Sequence, residues 1–444
     1  MAKAYRITFE GYDSERPDVT SERHIIKSGT LDCPTSNLDF SLSHMEQIEL
    51  LGSCLTHILT GKAKALNCKH GEPCPECGGK MKKGGKRHSQ FNDIFTEHEI
   101  TIQRLRCVEC GYEPPSTTLG LFNTTQSGEL MRLQAEIGAQ ETYRSAEDIF
   151  TSFCGAKRRT NNHNRIKEVS RNMGDATIKL VKEEKELLSA KPASEIIMNV
   201  DGGHVKTIEN KRSIEALAVV LYRPEALVSN STGTRNTLTS KHCAASAKND
   251  DQSDIISKTM VAAMKEGLTN ETAITALCDG AQNCWNVIEA IRPFAKSLTC
   301  ILDWFHITMK MQNISLPKIE KDKFLRVKWH LWRGNVDNAL RRLNELMLLA
   351  GADLSKDKLK KFAHYIENNR DRIINYRERK KQGLVFTSNL AECTVESLIN
   401  QRCKRQQHMR WSRDGLDPIL QLRSVINTPE WDNYWKSAVR EAIA

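Results

Sequence analysis

Three acidic residues each stand directly after an apolar run. They are Asp201 in Ile-Ile-Met-Asn-Val-Asp-Gly-Gly, Asp279 in Thr-Ala-Leu-Cys-Asp-Gly-Ala, and Asp303 in Cys-Ile-Leu-Asp-Trp-Phe-His. An aspartate at a strand end is fixed by the sheet yet open to solvent. The glycines after Asp201 and Asp279 let a metal ion or a phosphate approach the backbone closely. Two carboxylates held this way can share two Mg²⁺ (or Mn²⁺) ions, one activating a nucleophile and one stabilising a leaving oxygen. A third carboxylate from a helix normally completes such a shell. Glu392 and Glu396 lie four residues apart and could share a helix face. The plain alternative for any single aspartate is a helix cap or a turn. Three in one region shift the reading towards a metal-dependent nuclease or transferase.

A second constellation is built from sulfur. Cys74-Pro-Glu-Cys77-Gly-Gly and Cys107-Val-Glu-Cys110-Gly-Tyr are two Cys-x-x-Cys knuckles. The turn inside each pair aims both sulfurs at one point, and the following glycine relieves that turn. Four thiolates suit tetrahedral Zn²⁺ in a closed structural site. Cys68 and His70 stand nearby and read as bystanders. Lys80, Lys82, Lys83, Lys86 and Arg87 lie between the knuckles, as a surface for phosphates or as a solvated loop.

The elements that must position these residues follow from periodicity. Residues 5–9 read as a short strand and 44–59 as a helix. The alternating stretch 99–106 reads as a hairpin strand between the knuckles, which makes a zinc ribbon. Residues 128–190 read as helical throughout. Within them, 143–150 and 163–173 suggest helix, turn, helix, with Gly155 at the turn and Thr160 or Asn161 as the cap. Arg158, Arg159, Arg165 and Arg171 would then face DNA, with a plain helical hairpin as the alternative. Strands at 196–200, 216–222, 273–278 and 298–302 alternate with helices at 253–267, at 283–291 and from about 305, arguing for an α/β core. Residues 320–382 are charged and helical and interrupt that core before its last helix, from about 389. The expected division is 1–65, a mixed segment; 66–115, the ribbon; 116–190, a helical DNA-binding region; 191–310, the α/β core; 311–386, a helical insertion; and 387–444, a C-terminal catalytic helix and tail.

Bulk properties are compatible with this. At 444 residues the chain is too long for one ordinary core. Its formal charge of +10 favours an acidic partner without identifying one. The opening residues have no apolar run after their basic side chains, and no stretch approaches the ~18 apolar residues of a membrane span. A cytoplasmic protein with no membrane contact is expected, its fourteen cysteines reduced and available to metal.

Together, Asp201-Gly-Gly, Asp279-Gly-Ala-x-x-x-Trp285, Ile301-Leu-Asp303-Trp-Phe-His306, Val395-Glu396-Ser and His408-Met-Arg410-Trp411-Ser resemble bacterial insertion-sequence transposases of the DDE type. The group is the Kra group, related to Mutator-like elements, and the resemblance covers about 66–430. It implies a ribonuclease-H-like catalytic domain with a helical insertion before the last acidic residue. It matches Asp201, Asp279 and Glu396 to the catalytic, Mg²⁺-holding carboxylates, gives Asp303 and His306 a supporting role, and leaves Glu392 as runner-up. Arg410 joins the DNA-contacting residues. The stretch Lys404-Arg-Gln-Gln-His departs from the glycine-rich approach of that group. The implied partners are double-stranded DNA, as element ends and target, and further copies of the chain, in a bacterial cytoplasm and on the nucleoid when bound. Trp285, Trp304 and Trp411 read as core residues rather than base-stacking platforms. A transposase-derived regulator without catalysis, or a nuclease of the same fold, are the alternatives.

Overall fold

The computed structural model describes residues 3–38, 40–66, 72–155, 158–184, 191–229, 236–316, 318–349, 354–388, 396–404, 409–428 and 430–444. Cys68, His70, Glu392 and His408 lie outside them. The chain forms two compact units, 1–173 with 435–444, and 174–434.

The first unit opens on a hairpin, β1 (Lys3–Asp13) and β2 (Arg16–Leu31), longer than the short strand expected at 5–9. Most of its residues are exposed, so apolar alternation announces only its stretch at 5–9. Helix α1 (His44–Leu66) follows. Strands β3 (Met81–Asn92) and β4 (Glu97–Cys107) pair antiparallel, with a bulge where Gly84 and Gly85 separate Lys83 from Lys86. Gly85 takes a φ of 97°, a left-handed conformation open to glycine. The basic cluster therefore lies on a strand rather than in a loop. After α2 (Thr118–Phe122), helices α3 (Gly128–Gln140), α4 (Tyr143–Phe153) and α5 (His163–Glu184) bury Leu130, Ala146, Phe150 and Ile166 together. The cap of α5 is Asn162, whose side chain accepts from the backbone N–H groups of Asn164 and Arg165, one residue later than the sequence suggested. Gly155 is obligatory at its turn, because a Cβ there would collide with the carbonyl oxygen of Phe95.

The second unit is a mixed α/β layer structure. Strands β5 (Glu195–Lys206), β6 (Ser213–Tyr222), β9 (His242–Ser246), β10 (Ala273–Cys278) and β11 (Ser297–Leu302) form one sheet in the order β11-β10-β5-β6-β9. β5, β10 and β11 run parallel, whereas β6 is antiparallel to both of its neighbours. A small hairpin, β7 (Leu227–Ser229) with β8 (Asn236–Leu238), intervenes. The near-continuous apolar runs of β5, β6 and β10 are buried, as strands covered on both faces must be. Helices α6 (Ser253–Lys265), α7 (Gln282–Ala290) and α8 (Trp304–Gln312) alternate with the last strands. A helical block, α9 (Lys318–Trp332), α10 (Val336–Leu349), α11 (Leu354–Asn368) and α12 (Tyr376–Lys381), shares one core with the sheet. A helical turn, Glu396–Asn400, runs into Gln401–Cys403, and α13 (Arg413–Ile426) and α14 (Trp431–Ile443) close the chain. Between them Trp411 bridges to Thr207 beyond the end of β5, its N–H donating to the Lys206 carbonyl.

Candidate functional site

The register of three parallel strands sets the carboxylates side by side. Val200 of β5, Cys278 of β10 and Leu302 of β11 are aligned neighbours. The next residues are Asp201, Asp279 and Asp303, side by side where the parallel pairing ends. Asp279 and Asp303 follow the last residues of β10 and β11, whereas β5 runs on to Lys206, so Asp201 lies within its strand, paired with Ala218 of β6, and not at a strand end as the sequence suggested. A sheet is the rigid way to do this, because each strand is held by its neighbour's hydrogen bonds.

The three then differ. Asp201 is half-buried and takes one hydrogen bond, 2.8 Å, from the Gly202 N–H. Its carboxyl is held above the ordinary range, first by burial and further by the Asp279 charge. His306, the Gly202 N–H and Lys404 oppose that rise. Asp279 is half-buried, and its Oδ1 accepts from the Ala281 N–H at 2.9 Å. Asp303 is fully buried and occupied. It caps α8 through the Phe305 N–H at 3.1 Å and accepts from the Ser388 N–H at 3.0 Å and the Ser388 hydroxyl at 2.5 Å. His306 Nε2 stands 3.6 Å from its Oδ2. Asp303 thus fixes the start of α8 and the ring of His306 rather than facing a ligand.

Glu396 arrives from the other side of the sequence. It opens the short helical turn, and Asn400 donates to its Oε2 at 2.7 Å. Arg423 of α13 anchors that turn by donating to the carbonyl oxygens of Ser397 and Leu398. The turn lies against β5: a Cβ added to Gly203 would sit 3.3 Å from Ile399 Cγ2 and 2.8 Å from Lys404 Nζ. Gly203 therefore makes room for this turn and its lysine, while Gly202 and Gly203 both stay in β5, paired with Leu217 and Ala216. Lys404 is a residue sequence reasoning missed as a site member. Its ammonium feels both Asp201 and Glu396, although partial burial lowers its proton affinity. Only the fold brings it there, since 203 positions separate it from Asp201.

The helical block buttresses the same edge. Tyr365 of α11 donates to the Asp279 carbonyl oxygen at 2.8 Å, and Tyr376 of α12 donates to that of Leu302 at 2.7 Å. Gly280 has a φ of 93°, and a Cβ there would meet Leu302 Cδ1 at 2.8 Å and Tyr365 Cε2 at 2.9 Å. Trp285 is buried and donates to Asn369 Oδ1 at 3.0 Å, Trp304 packs on Trp332 and Tyr376, and Trp411 is buried beneath the Arg402 guanidinium. None of the three is an open stacking platform.

In the first unit the four cysteines converge. Their sulfurs all lie within 4.8 Å of one another, with Cys74–Cys110 at 3.7 Å and Cys77–Cys107 at 3.5 Å. Four sulfurs at ~2.3 Å around one tetrahedral Zn²⁺ stand about 3.8 Å apart, so the cage fits that ion. Each knuckle closes the same way: Gly78 and Gly111 take φ of 73° and 76°, and the Cys74 and Cys107 N–H groups donate to the Gly79 and Tyr112 carbonyls. The thiols share their protons unevenly: Cys107 is drawn down to about 6, chiefly by the Cys110 backbone N–H, whereas Cys77 is pushed up to about 12, the Gly79 N–H opposing the rise and the Cys110 and Cys107 sulfurs driving it. Among the described residues no other histidine, cysteine or carboxylate group closes this tightly. The carboxylates of Asp201, Asp279 and Glu396 do not form such a group.

The basic residues divide in two. Lys82, Lys83 and Arg87 project from β3 into solvent, opposite Arg106, Leu105 and Ile102. Arg158 pairs with Glu147 at 2.5 Å and Arg159 pairs with Glu97 at 2.7 Å, both arginines keeping most of their surface exposed. Arg165 is held by Glu168 at 2.9 Å, Arg171 lies on the same helix, and Arg410 is exposed beside Trp411. Among the described residues no helix is long and apolar enough to cross a membrane.

Fold and site together define a mixed α/β protein with a four-cysteine cluster that could hold a metal such as zinc, and a carboxylate edge in its second unit. Residues 131–432 match the model of an uncharacterised protein family, UPF0236, and the chain belongs to that family. A search of the curated proteins finds no match.

Proposed function

We propose that the chain is a DDE-type DNA transposase: it nicks DNA at the ends of its element and joins the freed 3′-hydroxyl to target DNA. The observation that carries the reading is the carboxylate edge. Asp279 follows the end of β10, Asp201 stands beside it where β5 leaves its parallel pairing, and Glu396 is delivered to β5 only after a helical insertion. A five-stranded sheet with its second strand reversed, and an insertion before the last acidic residue, is the arrangement that a ribonuclease-H-like catalytic domain calls for.

Asp201, Asp279 and Glu396 would hold Mg²⁺ or Mn²⁺. The fit rests on charge: two neighbouring carboxylates, one of them burial-stressed, need more positive charge than Lys404 alone provides. When bound, such ions neutralise the scissile phosphate and acidify the attacking water or hydroxyl. The chain's own groups do the positioning, which dominates phosphoryl transfer. The sheet fixes the two aspartates, Asn400 orients Glu396, Asp303 holds His306 beside Asp201, and Lys404 offers a cation to a phosphate at Gly203. The zinc ribbon, with Lys82, Lys83 and Arg87, and the α4–α5 pair, read as helix-turn-helix with Arg158, Arg159, Arg165 and Arg171, would bind element-end DNA.

The test is strand cleavage and strand transfer with Mg²⁺ on DNA carrying the element's ends. Asp201→Asn should drop both steps to background while DNA binding persists. Full activity in that variant sinks the assignment. Cleavage without joining would make the protein a nuclease of the same fold, and binding with neither step a regulator.

A further inference from the structure

Beside the carboxylate edge lies a cavity of about 340 Å³, inside the ~300–1,000 Å³ range of small-ligand pockets. Its walls come from α8 and α11. Lys358, Lys361, Phe362 and Tyr365 recur at i, i+3, i+4 and i+7, so they form one face of α11. Lys310 and Ile314 face them from α8 and the residues after it. Lys310 Nζ stands 4.6 Å from the centre of the Tyr365 ring, and Lys358 Nζ donates to the Asn313 carbonyl at 3.2 Å. Among the described residues no carboxylate pairs with any of the three lysines. The floor is aromatic and apolar: Phe362 and Tyr365 have ring centres 6.2 Å apart. Three ammonium groups around an aromatic hollow suit an anion with a flat ring attached. A lysine-rich helix face meant only for solvent has no reason to enclose a hollow.

The inner wall of this hollow belongs to the candidate centre. Tyr365 binds the Asp279 carbonyl and packs where a Cβ on Gly280 would lie. We propose that the cavity takes one nucleotide of single-stranded DNA next to the scissile phosphate. The lysines contact its phosphates, and its base is held unstacked against Tyr365, with buried Phe362 beneath it. This rests on the reading of Asp201 and Asp279 as a phosphoryl-transfer centre, and it adds a strand-holding role for the helical insertion. Unstacking the flanking base gives an aromatic wall something to hold.

The experiment uses the full chain in EDTA, so that binding is measured apart from chemistry. Anisotropy of a fluorescein-labelled twelve-residue oligothymidylate is titrated across a salt series for the native chain and for Lys358→Gln/Lys361→Gln. These lysines are exposed, and an unchanged melting temperature verifies the fold. Losing two phosphate contacts should weaken binding and flatten the slope of log K against log salt by about 1.4, that is 0.7 per contact on a single strand. An oligonucleotide of the same length without bases should bind the native chain more weakly. An unchanged slope in the double variant overturns the site, and equal affinity for the baseless strand overturns the aromatic part. Inorganic phosphate displacing the strand at equal phosphate concentration would reduce the cavity to an anion site and also overturn the proposal. If the slope flattens but native protein with Mg²⁺ never cleaves DNA, the transposase reading fails and the cavity stands. If Mg²⁺-dependent cleavage is present and the slope does not move, the cavity fails alone.

Discussion

At the scale of residues, alignment in a sheet does not settle a carboxylate's role; its partners do. Asp201, Asp279 and Asp303 are equivalent in register, yet Asp303 spends both oxygens on Phe305, Ser388 and the ring of His306. Asp303→Asn keeps the volume and loses an acceptor. It should lower strand transfer roughly 10–100-fold, as loss of an outer support typically does, while leaving Mg²⁺ dependence in place. Kinetics across a Mg²⁺ series check this, and background activity at every concentration would make Asp303 a direct ligand instead. A second residue-scale expectation concerns His242, which bridges Glu266 at 2.8 Å and Glu430 at 3.0 Å. Burial opposes its charge, but the two carboxylate hydrogen bonds overcome that and raise it to about 9. A raised cationic group stabilises the fold fully below its unfolded value near 6.5, and that stability is lost as pH rises through about 9. Glu430 is held down to about 2, chiefly by the His242 hydrogen bond, so its share is lost as pH falls from about 4.5 towards 2. The melting temperature of the native chain should therefore exceed that of His242→Gln by several degrees near pH 6, and the gap should close between pH 7 and 10. A gap that is constant with pH would remove the ion-pair explanation.

At the scale of elements, the helix-to-helix and helix-to-strand approaches depend on glycines that carry no chemistry. Gly174 on α5 lies directly on the backbone of Pro418 in α13, where an added Cβ would overlap the Pro418 carbonyl. Alanine is the better helix former in isolation, so propensity alone predicts that Gly174→Ala stabilises. Packing wins here. The substitution should cost about 1–3 kcal/mol of unfolding free energy, as overfilled interiors do, and denaturant titration would show it. The same logic explains Gly203, whose missing side chain lets the Glu396 turn and Lys404 reach β5. The helical insertion is likewise more than a spacer. Two of its tyrosines hold carbonyls at the strand ends that carry, or directly precede, the aspartates.

At the scale of the whole molecule, the chain has two compact units with different sources of stability. Unit 174–434 has a continuous apolar core under its sheet, whereas the knuckle end of the ribbon buries a cluster of only Cys74, Met81, Leu105 and Cys107, its far end packing Ile100 and Ile102 with Ala63 of α1. Small cores of that kind lean on metal. One Zn²⁺ per chain is expected by elemental analysis. A strong chelator, or Cys107→Ser, should lower the unfolding temperature of the first unit and leave the transition of the second nearly in place. A single transition unmoved by chelation, in protein free of zinc, would discard the metal role.

Composition and spacing carried the local facts. The paired cysteines, the apolar runs of β5, β6, β10 and β11, and the aspartates after β10 and β11 are legible because sulfur geometry and strand burial act over a few residues, whereas the continuation of β5 through Asp201 to Lys206 is not. Of the hairpin β1–β2 only the alternation at 5–9 was legible; the mostly polar β2 and the edge strand β9 were not. The α5 cap fell on Asn162 because helix ends are set by side-chain hydrogen bonds that several neighbouring polar residues could make. The tertiary structure alone decided the rest. It aligned three aspartates across strands up to 102 residues apart, from Asp201 to Asp303. It removed Asp303 from the open edge through Ser388, and it brought Lys404 to Gly203. Those contacts join positions with no common period in the chain, so only the register of the sheet and the path of the insertion could fix them.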